Sequence, residues 1–499
     1  MEIPGQIARR VANLVLPDTC VMDGALARAA DGATFDNISP RDGRVLNKVP
    51  ACGVADVDRA VAAARAAFED GRWRRQSPKD KKKTLFRLAE LMERDLDDLA
   101  LMESLDTGKP ISDATNVDIP LAIQSVRWYA EALDKIYGEV GPSNDSKFSY
   151  AVHEPLGVIG AITPWNFPLH MAMWKVAPAL AMGNSVVLKP AEQSPLTSMR
   201  VAQLAIEAGL PAGVFNVVTG FGRPVGEALA RHMDVDMITF TGSGAVGRQL
   251  MIYAGESNLK RVSLELGGKS PQIVFADCPD LDAAAEAAAW GVFFNQGEVC
   301  TAASRLLVQD SIKDDFLRRV TEVARTIKVG DPLDPSTRYG AMISERQMNT
   351  ALRHIDQSKS EGLNLVLGGE RVMAETGGFY VEPTIFDGVH SGSTIAREEI
   401  FGPVLGVMTF KDAAEAVQIA NDTVYGLASG LWTADLDRAM SMTRRLRAGL
   451  VWVNGWDSCD ITMPFGGFKQ SGFGRDRSLH ALHKYADLKS VTFTLREAR

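Results

Sequence analysis

The sequence has 499 residues, of which 46% are hydrophobic and 23% are charged. A chain of this length predicts roughly three domains of ~150 residues each, and the composition excludes a wholly disordered protein. The formal net charge of −8 at pH 7 argues against a basic surface that binds nucleic acid.

The cysteines and the N-terminus bear on the cellular compartment. The 5 cysteines are odd in number and show no CxxC spacing, which predicts reduced thiols in the cytoplasm rather than a disulfide framework. The 7 histidines are scattered, so no metal site is expected. The first residues lack the apolar core of a signal peptide, and none is expected.

Helices are predicted first along the chain. Residues 57–68 repeat apolar side chains at helical spacing, and residues 85–99 continue as a second helix that stops at Gly108 and Pro110. The stretch 155–174 carries no formal charge, but prolines and polar residues near its middle would break a membrane helix. It is therefore interpreted as a buried strand that leads into a loop.

From about residue 156 onward, short apolar strands alternate with helices such as residues 196–208, which is typical of a parallel α/β sheet. The predicted strands are residues 157–163, 185–189, 214–218, 237–240, 262–265 and 272–275. A second alternating set over residues 268–465 predicts a second α/β unit, with a boundary near residue 267 inferred from motif positions.

A polar segment, residues 295–298, directly precedes Cys300 at the end of an apolar run. A cysteine in such surroundings is more often an inert core residue than a nucleophile. This segment alone leaves both interpretations open.

Glycines Gly242, Gly244 and Gly247 follow a predicted strand and precede a helix. They match GxGxxG, whose glycines let the backbone and a helix N-terminus approach a pyrophosphate. A tight turn without a ligand is the alternative. The same pattern expects an acidic ribose ligand about 20 residues further on, where Glu265 stands.

Three other motifs place polar side chains at or near predicted strand ends. Lys189 and Glu192 could hold a ribose diol, or they form an exposed charged turn. Asn166, flanked by aromatic residues and prolines, suits an oxyanion donor, or it caps a turn. Glu265 lies between leucines, which should raise its pKa and suit a general base, unless it is a paired surface glutamate.

Together these stretches resemble the NAD(P)-dependent aldehyde dehydrogenase superfamily over essentially the whole chain. The motifs that carry the resemblance are residues 165–168 (WNFP), 189–192 (KPAE), 242–247, 265–268 (ELGG), 297–300 (GEVC), 398–404 (EEIFGPV) and 464–472 (PFGGFKQSG). The resemblance implies an α/β fold with a Rossmann-like cofactor domain, a second α/β catalytic domain and a small β oligomerisation element.

The resemblance also implies domain bounds and partners. The implied bounds are residues 1–137 and 157–267 for the NAD-binding domain, 268–470 for the catalytic domain, and 138–156 and 484–499 for the oligomerisation strands. A small-molecule aldehyde and a homodimer or homotetramer are expected, with no nucleic-acid or membrane partner.

The implied reaction is the oxidation of an aldehyde to its carboxylate. Cys300 is implied as the nucleophile, with the Asn166 amide and the Cys300 backbone N–H as oxyanion donors. Glu265 is implied as the general base of thioester hydrolysis, which replaces its interpretation as a ribose ligand. Lys175 is expected near the active site. Asp476 replaces a glutamate that many relatives carry, which leaves its role open.

NAD is the expected cofactor and NADP a weaker one, because Glu192 would face a 2′-phosphate with like charge. The implied cofactor residues are Trp165, Lys189, Glu192, Gly242, Ser243, Gly247, Gln347, Glu399 and Phe401. Gly244 departs from the family, which commonly has threonine there, and should loosen the turn without abolishing binding.

Residues 474–491 and 275–281 look most similar to bacterial γ-glutamyl-γ-aminobutyraldehyde and guanidinobutyraldehyde dehydrogenases of polyamine and arginine catabolism. This implies an aminoaldehyde substrate, with a broad range of aliphatic aldehydes or betaine aldehyde as the alternative. The expected pocket residues are Phe167, Trp174, Trp456, Asp457, Cys459, Phe465 and Asp118. Aromatic walls with carboxylates suit a cationic or polar aldehyde, unless the aspartates are only rim charges.

Other functions are disfavoured by the same residues. A CoA-acylating semialdehyde dehydrogenase is disfavoured because Glu265 retains a base for hydrolysis. A non-catalytic protein that reuses the fold is disfavoured by the intact Cys300, Glu265 and Asn166. A cysteine hydrolase is expected only as a side activity through the same thioester.

Overall fold

The computed structural model describes residues 5–458 and 460–496. Its strands are β1 Cys20–Met22, β2 Ala25–Ala27, β3 Thr34–Ile38, β4 Val45–Pro50, β5 Glu139–Val140, β6 Lys147–Pro155, β7 Val158–Ile162, β8 Ser185–Lys189, β9 Phe215–Val217, β10 Met237–Thr241, β11 Arg261–Glu265, β12 Pro271–Val274, β13 Arg305–Gln309, β14 Asn364–Leu367, β15 Arg371–Val372, β16 Tyr380–Val381, β17 Thr384–Asp387, β18 Val404–Phe410, β19 Ala428–Trp432, β20 Leu450–Val453, β21 Gly472–Phe473 and β22 Ala486–Thr494.

The α-helices are α1 Gly5–Asn13, α2 Val54–Glu69, α3 Pro78–Arg94, α4 Leu96–Thr107, α5 Ile111–Asp113, α6 Ile119–Ala132, α7 Pro168–Ala181, α8 Leu196–Glu207, α9 Glu227–Arg231, α10 Gly244–Gly255, α11 Leu281–Phe293, α12 Lys313–Thr326, α13 Glu345–Ser360, α14 Thr394–Arg397, α15 Ala413–Asn421, α16 Leu436–Arg445 and α17 Ser478–His483. Short π turns stand at Ala114–Asp118 and Gly222–Gly226, and a tight turn at Phe294–Gly297 follows α11.

The first large sheet has the strand order β2-β1-β9-β8-β7-β10-β11-β21. The strands from β9 to β11 are parallel, and β1 and β21 pair antiparallel with the outer ones. The chain runs from β7 outward through β8 and β9, and later through β10 and β11 on the other side. The strand order therefore reverses between β7 and β10, and open α/β sheets bind ligands outside the carboxyl ends of the strands at such a point.

The second large sheet has the order β14-β17-β18-β13-β12-β19-β20, and every neighbouring pair except β14 with β17 is parallel. All residues of β12 and β19 are buried, as are those of β7, β8 and β10 in the first sheet. Strands covered on both faces need apolar side chains on both faces, which explains their near-continuous apolar sequences.

A third, antiparallel sheet contains β22, β6 and β5. The register of β22 with β6 runs from Ala486 opposite Pro155 to Thr494 opposite Lys147. The rings of Phe148 and Phe493 lie 6.4 Å apart, and these residues are 39% and 48% exposed. Exposed aromatic side chains suit a contact between subunits, but the oligomerisation role of these strands stays a prediction.

The structure confirms the predicted α/β fold. Every strand predicted between residues 157 and 275 is present within one or two residues, and α8 coincides with the predicted helix 196–208. The second predicted helix is wrong in one respect, because it is two helices, α3 and α4, that meet at Asp95. Asp95 leaves the helical conformation at φ −95° and ψ 13°, and its carboxylate accepts hydrogen bonds from Arg94 and Arg200.

The uncharged stretch 155–174 is β7, a short loop and then the first half of α7, which begins at Pro168. The loop is therefore shorter than predicted. Among the described helices, none is both long and apolar enough to cross a membrane.

Candidate active site

The candidate site lies between the strand ends of the two large sheets. Thr163 to Asn166 follow the carboxyl end of β7, and Gly242 follows that of β10, on either side of the reversal in the first sheet. From the second sheet, Cys300 precedes the amino end of β13 and Glu399 precedes that of β18. The carboxyl edge of one sheet thus meets the amino edge of the other, and together they enclose a cleft.

The cleft has a volume of about 450 Å³ and collects several of the predicted site residues. The predicted residues that line it are Trp165, Asn166, Gly242, Ser243, Cys300, Gln347, Glu399 and Phe401. These come from segments that are far apart in the sequence, so the fold is what brings them together.

Cys300 is positioned by an unusual turn after α11. Asn295, Gln296 and Gly297 have φ values of 48°, 57° and 74°, a run of left-handed residues that ends the helix. Non-glycine residues rarely adopt this conformation, so the surrounding structure must hold it. A Cβ at Gly297 would lie 2.3 Å from the Gly402 carbonyl, which makes glycine necessary there. The polar segment before Cys300 is therefore the turn that carries the cysteine into the cleft.

The Cys300 thiol is poorly ionised in this resting arrangement. Cys300 is half-buried and packs against an apolar cluster that includes Met171, Trp174 and Phe465. Burial raises the pKa of the thiol to about 12, and the nearby carboxyl of Glu399 adds to the rise. A thiol with such a pKa is not a nucleophile at pH 7 until a base removes its proton.

Hydrogen bonds hold both the side-chain amide and the backbone carbonyl of Asn166. Its Nδ2 donates to the Glu298 carbonyl over 2.8 Å, and its own carbonyl accepts from Lys109 Nζ over 2.9 Å. Asn295 Nδ2 also donates to both of these carbonyls over 3.3 Å. Asn166 therefore carries a rigid amide donor next to the turn that bears Cys300. Lys109 was not expected from the sequence, because only the tertiary fold brings it to Asn166.

Glu265 is buried at the end of β11, and neither of its carboxylate oxygens has a hydrogen-bond partner in the described chain. Burial raises its pKa well above the ordinary value, and the carboxylate of Asp476 raises it further. Lys175 Nζ donates to Asp476 Oδ2 over 3.1 Å, so Lys175 lies beside the base through Asp476. A buried carboxyl with a raised pKa is a candidate for proton transfer at a functional site, so the role of Glu265 as a base stays a prediction.

The Gly267–Gly268 pair lets three segments approach one another closely. A Cβ at Gly267 would lie 1.7 Å from Glu399 Oε2, and a Cβ at Gly268 would lie 2.4 Å from the Cys300 carbonyl oxygen. The Gly268 N–H donates to Glu399 Oε1 over 2.9 Å. Burial raises the pKa of Glu399 to about 7, against the lowering effect of this hydrogen bond.

Phe401 closes the opposite wall of the cleft. It has a φ of 55°, and Gln347 Nε2 holds its loop by donating to the carbonyls of Ile400 and Phe401 over 2.9 and 2.8 Å. The rings of Phe401 and Trp165 meet edge to face, with centroids 5.1 Å apart. Trp165 and Gln347 therefore fix the shape of the cleft.

The other predicted cofactor residues of the first sheet lie at or after the carboxyl ends of its strands. Lys189 ends β8 and its Nζ donates to Glu192 Oε2 over 3.1 Å. Burial lowers the pKa of Lys189, and Glu192 opposes that effect. Ser243 caps α10 by accepting from the Val246 N–H, and a Cβ at Gly247 would lie 2.9 Å from Leu266. Lys189, Glu192 and Gly247 lie outside the lining of the cleft itself.

Comparison with known proteins agrees with this geometry. Residues 27–491 match the model of the aldehyde dehydrogenase family. The chain belongs to the aldehyde dehydrogenase family. This confirms the expected resemblance and makes the protein an oxidoreductase of that family.

The relatives of this aldehyde dehydrogenase are similar over nearly their whole length. It is 49% identical over 486 residues to the NADP/NAD-dependent aldehyde dehydrogenase PuuC of Escherichia coli, and 97% of each chain is covered. An indole-3-acetaldehyde dehydrogenase complexed with NAD+ matches with a TM-score of 0.98 and 57% identity, over 99% of this chain and 100% of the other. The γ-glutamyl-γ-aminobutyraldehyde dehydrogenase of Burkholderia cenocepacia matches with a TM-score of 0.97 and 56% identity, over the same shares of each chain.

The aromatic residues predicted for the substrate pocket lie close together. Trp174 and Phe465 have ring centroids 4.9 Å apart and share an apolar cluster with Cys300, Phe167 and Trp456. Cys459 lies outside the described residues. That these rings contact the substrate stays a prediction.

Asp118 is reached through Lys109 rather than exposed at the aromatic side chains. Its side chain is buried and accepts a hydrogen bond from Lys109 Nζ, which itself lies 4.3 Å from the centre of the Phe167 ring. A direct contact of Asp118 with the substrate stays a prediction. Asp457, in contrast, is exposed and contributes to the raised pKa of Cys300.

Two further side chains on this side were missed by sequence reasoning. The Arg477 guanidinium stacks over Trp174 and Phe465, at 4.3 and 5.2 Å from their ring centres. Trp174 Nε1 donates to His170 Nε2 over 2.7 Å, and burial lowers the pKa of His170 well below its ordinary value. Arg477 therefore places a fixed positive charge over the aromatic wall, while His170 stays neutral and accepts.

Proposed function

We propose that this protein oxidises an aldehyde to its carboxylate with NAD+, through a thiohemiacetal and then a thioester on Cys300. The observation that carries the proposal is that Cys300 and Asn166 line one cleft with Leu266 and Gly267, the residues that directly follow Glu265, although they come from three distant segments. The Glu265 carboxyl is near enough to contribute to the raised pKa of Cys300. A nucleophile, an oxyanion donor and a base are the groups that this reaction requires.

The cleft fits a dinucleotide cofactor. The N-terminus of α10 follows Gly242 and Ser243, which line the cleft, and a helix N-terminus favours a pyrophosphate. Gly242 and Gly247 let Phe240 and Leu266 pack closely against this turn, and the Lys189–Glu192 pair stands at the edge where the adenosine ribose would bind. The residues proposed to hold the cofactor are Trp165, Lys189, Glu192, Gly242, Ser243, Gly247, Gln347, Glu399 and Phe401. When bound, NAD+ supplies the hydride acceptor of the oxidation. NADP is proposed as a weaker cofactor.

Acylation begins at Cys300. The thiol gives its proton to solvent water, and the thiolate sulfur attacks the aldehyde carbon to form a thiohemiacetal whose oxygen carries the negative charge. The negative oxygen then accepts hydrogen bonds from the Asn166 amide and the Cys300 backbone N–H. One such donor contributes roughly 2.7–4 kcal/mol to the transition state. Loss of hydride from the former aldehyde carbon leaves a thioester.

Deacylation depends on Glu265. Its carboxylate takes a proton from a water molecule, which attacks the thioester carbonyl and releases the carboxylate product and the Cys300 thiol. A carboxyl with an ordinary pKa near 4.3 would be a weak base, so the rise caused by burial suits this step. Lys175 and Asp476 border the base and are proposed to support it.

The proposed substrate is an aminoaldehyde such as γ-glutamyl-γ-aminobutyraldehyde or guanidinobutyraldehyde. Support comes from the similarity to the γ-glutamyl-γ-aminobutyraldehyde dehydrogenase of Burkholderia cenocepacia. Further support comes from the aromatic wall, over which Arg477 stacks, and from the Asp457 carboxyl, which acts on the nearby Cys300. Trp174, Phe167, Trp456 and Phe465 are proposed as wall residues. A polar or charged tail is better matched by such a surface than a plain alkyl chain.

Two variants and a substrate panel test this function. Cys300→Ser should abolish NADH formation while NAD+ binding stays within a few-fold, because Cys300 lies outside the cofactor motifs. Glu265→Gln should keep a burst of NADH but lose roughly 10²–10⁴ in steady-state rate. The panel compares γ-glutamyl-γ-aminobutyraldehyde, guanidinobutyraldehyde, betaine aldehyde and butyraldehyde by kcat/KM. Normal turnover by Cys300→Ser would exclude the proposed nucleophile, and a preference for butyraldehyde would exclude the proposed substrate class.

We also propose the domain division that the resemblance implied. Residues 1–137 and 157–267 supply nearly all of the first sheet, residues 268–470 contain the second, and 138–156 with 484–499 contain the third. A homodimer or homotetramer through the third sheet is part of this proposal.

A further inference from the structure

The Asp476 carboxylate lies between two lysines. Lys175 Nζ donates to Oδ2 over 3.1 Å, and Lys484 Nζ donates to Oδ1. Lys175 comes from α7, and Lys484 directly follows α17. Each carboxylate oxygen therefore has its own ammonium partner, although the second lysine plays no part in the mechanism described above.

This cluster is buried and rigidly placed. The side chains of Asp476, Lys175 and Lys484 are 0%, 1% and 11% exposed. The backbone of Asp476 exchanges two hydrogen bonds of 2.8 Å with Phe465, which fixes the position of the carboxylate. Burial alone would raise the pKa of Asp476, but the two lysines outweigh it and hold the pKa below its ordinary value. Asp476 is therefore ionised, and its charge alone does not balance two ammonium groups.

Glu265 is the group that completes the charge balance. With Lys175 and Lys484 positive and Asp476 negative, the cluster carries one excess positive charge, and ionised Glu265 cancels it. Without Lys484, the buried group of Lys175, Asp476 and ionised Glu265 would carry one excess negative charge, which the half-buried Arg475 would offset only in part. Buried charges are costly unless they are compensated, so the two situations differ in how readily Glu265 gives up its proton.

We propose that Lys484 is a positioning residue for the base, which fixes the Asp476 carboxylate against Lys175 and supplies the positive charge that balances ionised Glu265. The inference rests on the proposed role of Glu265 in thioester hydrolysis. It also accounts for the aspartate at position 476, where many relatives have glutamate. The shorter side chain reaches Lys175 and is held on its other side by Lys484.

The titratable groups around Glu265 are few enough to interpret a pH profile. Those that bear on its pKa are Asp476, Lys484, Lys175 and Arg475. Cys300 is near enough for Glu265 to contribute to its raised pKa, while Tyr129 and Tyr485 lie beside Asp476 and Lys484. Of these, Lys484 alone is both in direct contact with Asp476 and outside the proposed chemical steps.

The test is the pH dependence of deacylation in Lys484→Met, a neutral side chain of similar length. Loss of the positive charge should raise the apparent pKa of the steady-state rate by one unit or more. Turnover at pH 7 then falls about tenfold and converges with the parent at high pH. The NADH burst should keep its amplitude. Lys313→Met is the matched control, because Lys313 is a partly buried lysine paired with Asp387 over 2.6 Å, and neither residue lines the cleft or bears on the pKa of Glu265.

A double variant separates charge balance from simple structural support. Asp476→Asn with Lys484→Met removes one charge of each sign, so the midpoint of the pH profile should return toward that of the parent even if the rate stays low. NAD+ binding and thermal melting report folding, and Lys484→Gln replaces Lys484→Met if the latter does not fold.

Two outcomes would overturn the proposal: a Lys484→Met profile that is lower but unshifted, or a double variant whose midpoint stays with that of the single variant. Glu265→Gln is measured alongside. If that variant hydrolyses the thioester at the parental rate, the proposed function of Glu265 fails. If it does not and the Lys484→Met midpoint is unshifted, only the inference about Lys484 fails.

Discussion

The resting thiol of Cys300 should react slowly with an alkylating agent, and the rate should keep rising with pH. Its pKa of about 12 follows from burial and from the carboxyls of Glu399, Asp457 and Glu265. In the enzyme without cofactor, no bound positive charge offsets these effects. The perturbation is therefore pH itself, together with Glu399→Gln, which removes one of the negative neighbours.

The magnitude follows from the fraction of thiolate. At pH 7 a thiol of pKa 12 is about 10⁻⁵ ionised, compared with about 3% for a free cysteine of pKa ~8.5, a ratio of roughly 3,000. A more basic thiolate is a better nucleophile, and a Brønsted slope of about 0.4–0.5 over this range recovers a factor of about 40. Alkylation of Cys300 should thus be about 100-fold slower than that of a free thiol at pH 7.

The assay measures iodoacetamide labelling of the Cys300 peptide by mass spectrometry between pH 6.5 and 9.5, with N-acetylcysteine as the reference. The Cys300 rate should rise about tenfold per pH unit throughout, whereas the reference levels off above about pH 9. Glu399→Gln should increase the rate at pH 7. A plateau of the Cys300 rate at or below pH 8.5 would refute the reasoning, because it would place the thiol pKa at or below its ordinary value.

Three other changes should have distinct effects. Gly268→Ala places a Cβ 2.4 Å from the Cys300 carbonyl oxygen, which should displace the Cys300 sulfur. The displacement should lower kcat about 100-fold in steady-state kinetics. NAD+ binding, measured by titration, should change little. Glu192→Gln should reduce the preference for NAD+ over NADP+ by about tenfold in kcat/KM, because the carboxylate paired with Lys189 would repel a 2′-phosphate; an unchanged ratio would exclude Glu192 as the discriminating residue. Sedimentation at micromolar concentration should show a dimer or tetramer, and a species of only 54.0 kDa would contradict assembly through the third sheet.

The sheets were predictable because their strands are buried on both faces. Residues 157–163 and 237–240 read as unbroken apolar runs, and both appear as central strands. The break at Asp95 was not predictable from local spacing, and one of the contacts made there is with Arg200, more than a hundred residues away. Local apolar spacing continues across the break, so periodicity alone predicts one helix where the structure has two.

The site was predictable only in part, for the same reason. Cys300, Asn166 and Glu265 stand in motifs whose residue types suggest chemistry, and the structure brings their segments together. Lys109 and Lys484 act through partners that no local pattern reveals. Single lysines near the ends of helices are common in sequences. Their contacts become evident only in the fold, which buries them.

The order of the two sheets explains why the reactive groups are scattered along the chain. The first sheet contributes from the carboxyl ends of β7, β10 and β11, the edge at which parallel sheets bind ligands. The second sheet contributes residues that precede the amino ends of β13 and β18. Sharp turns just before these strands direct those residues into the cleft. The left-handed run at residues 295–297 and the left-handed Phe401 are those turns. Backbone strain therefore concentrates on the side of the cleft that carries the nucleophile, where a fixed sulfur position matters most.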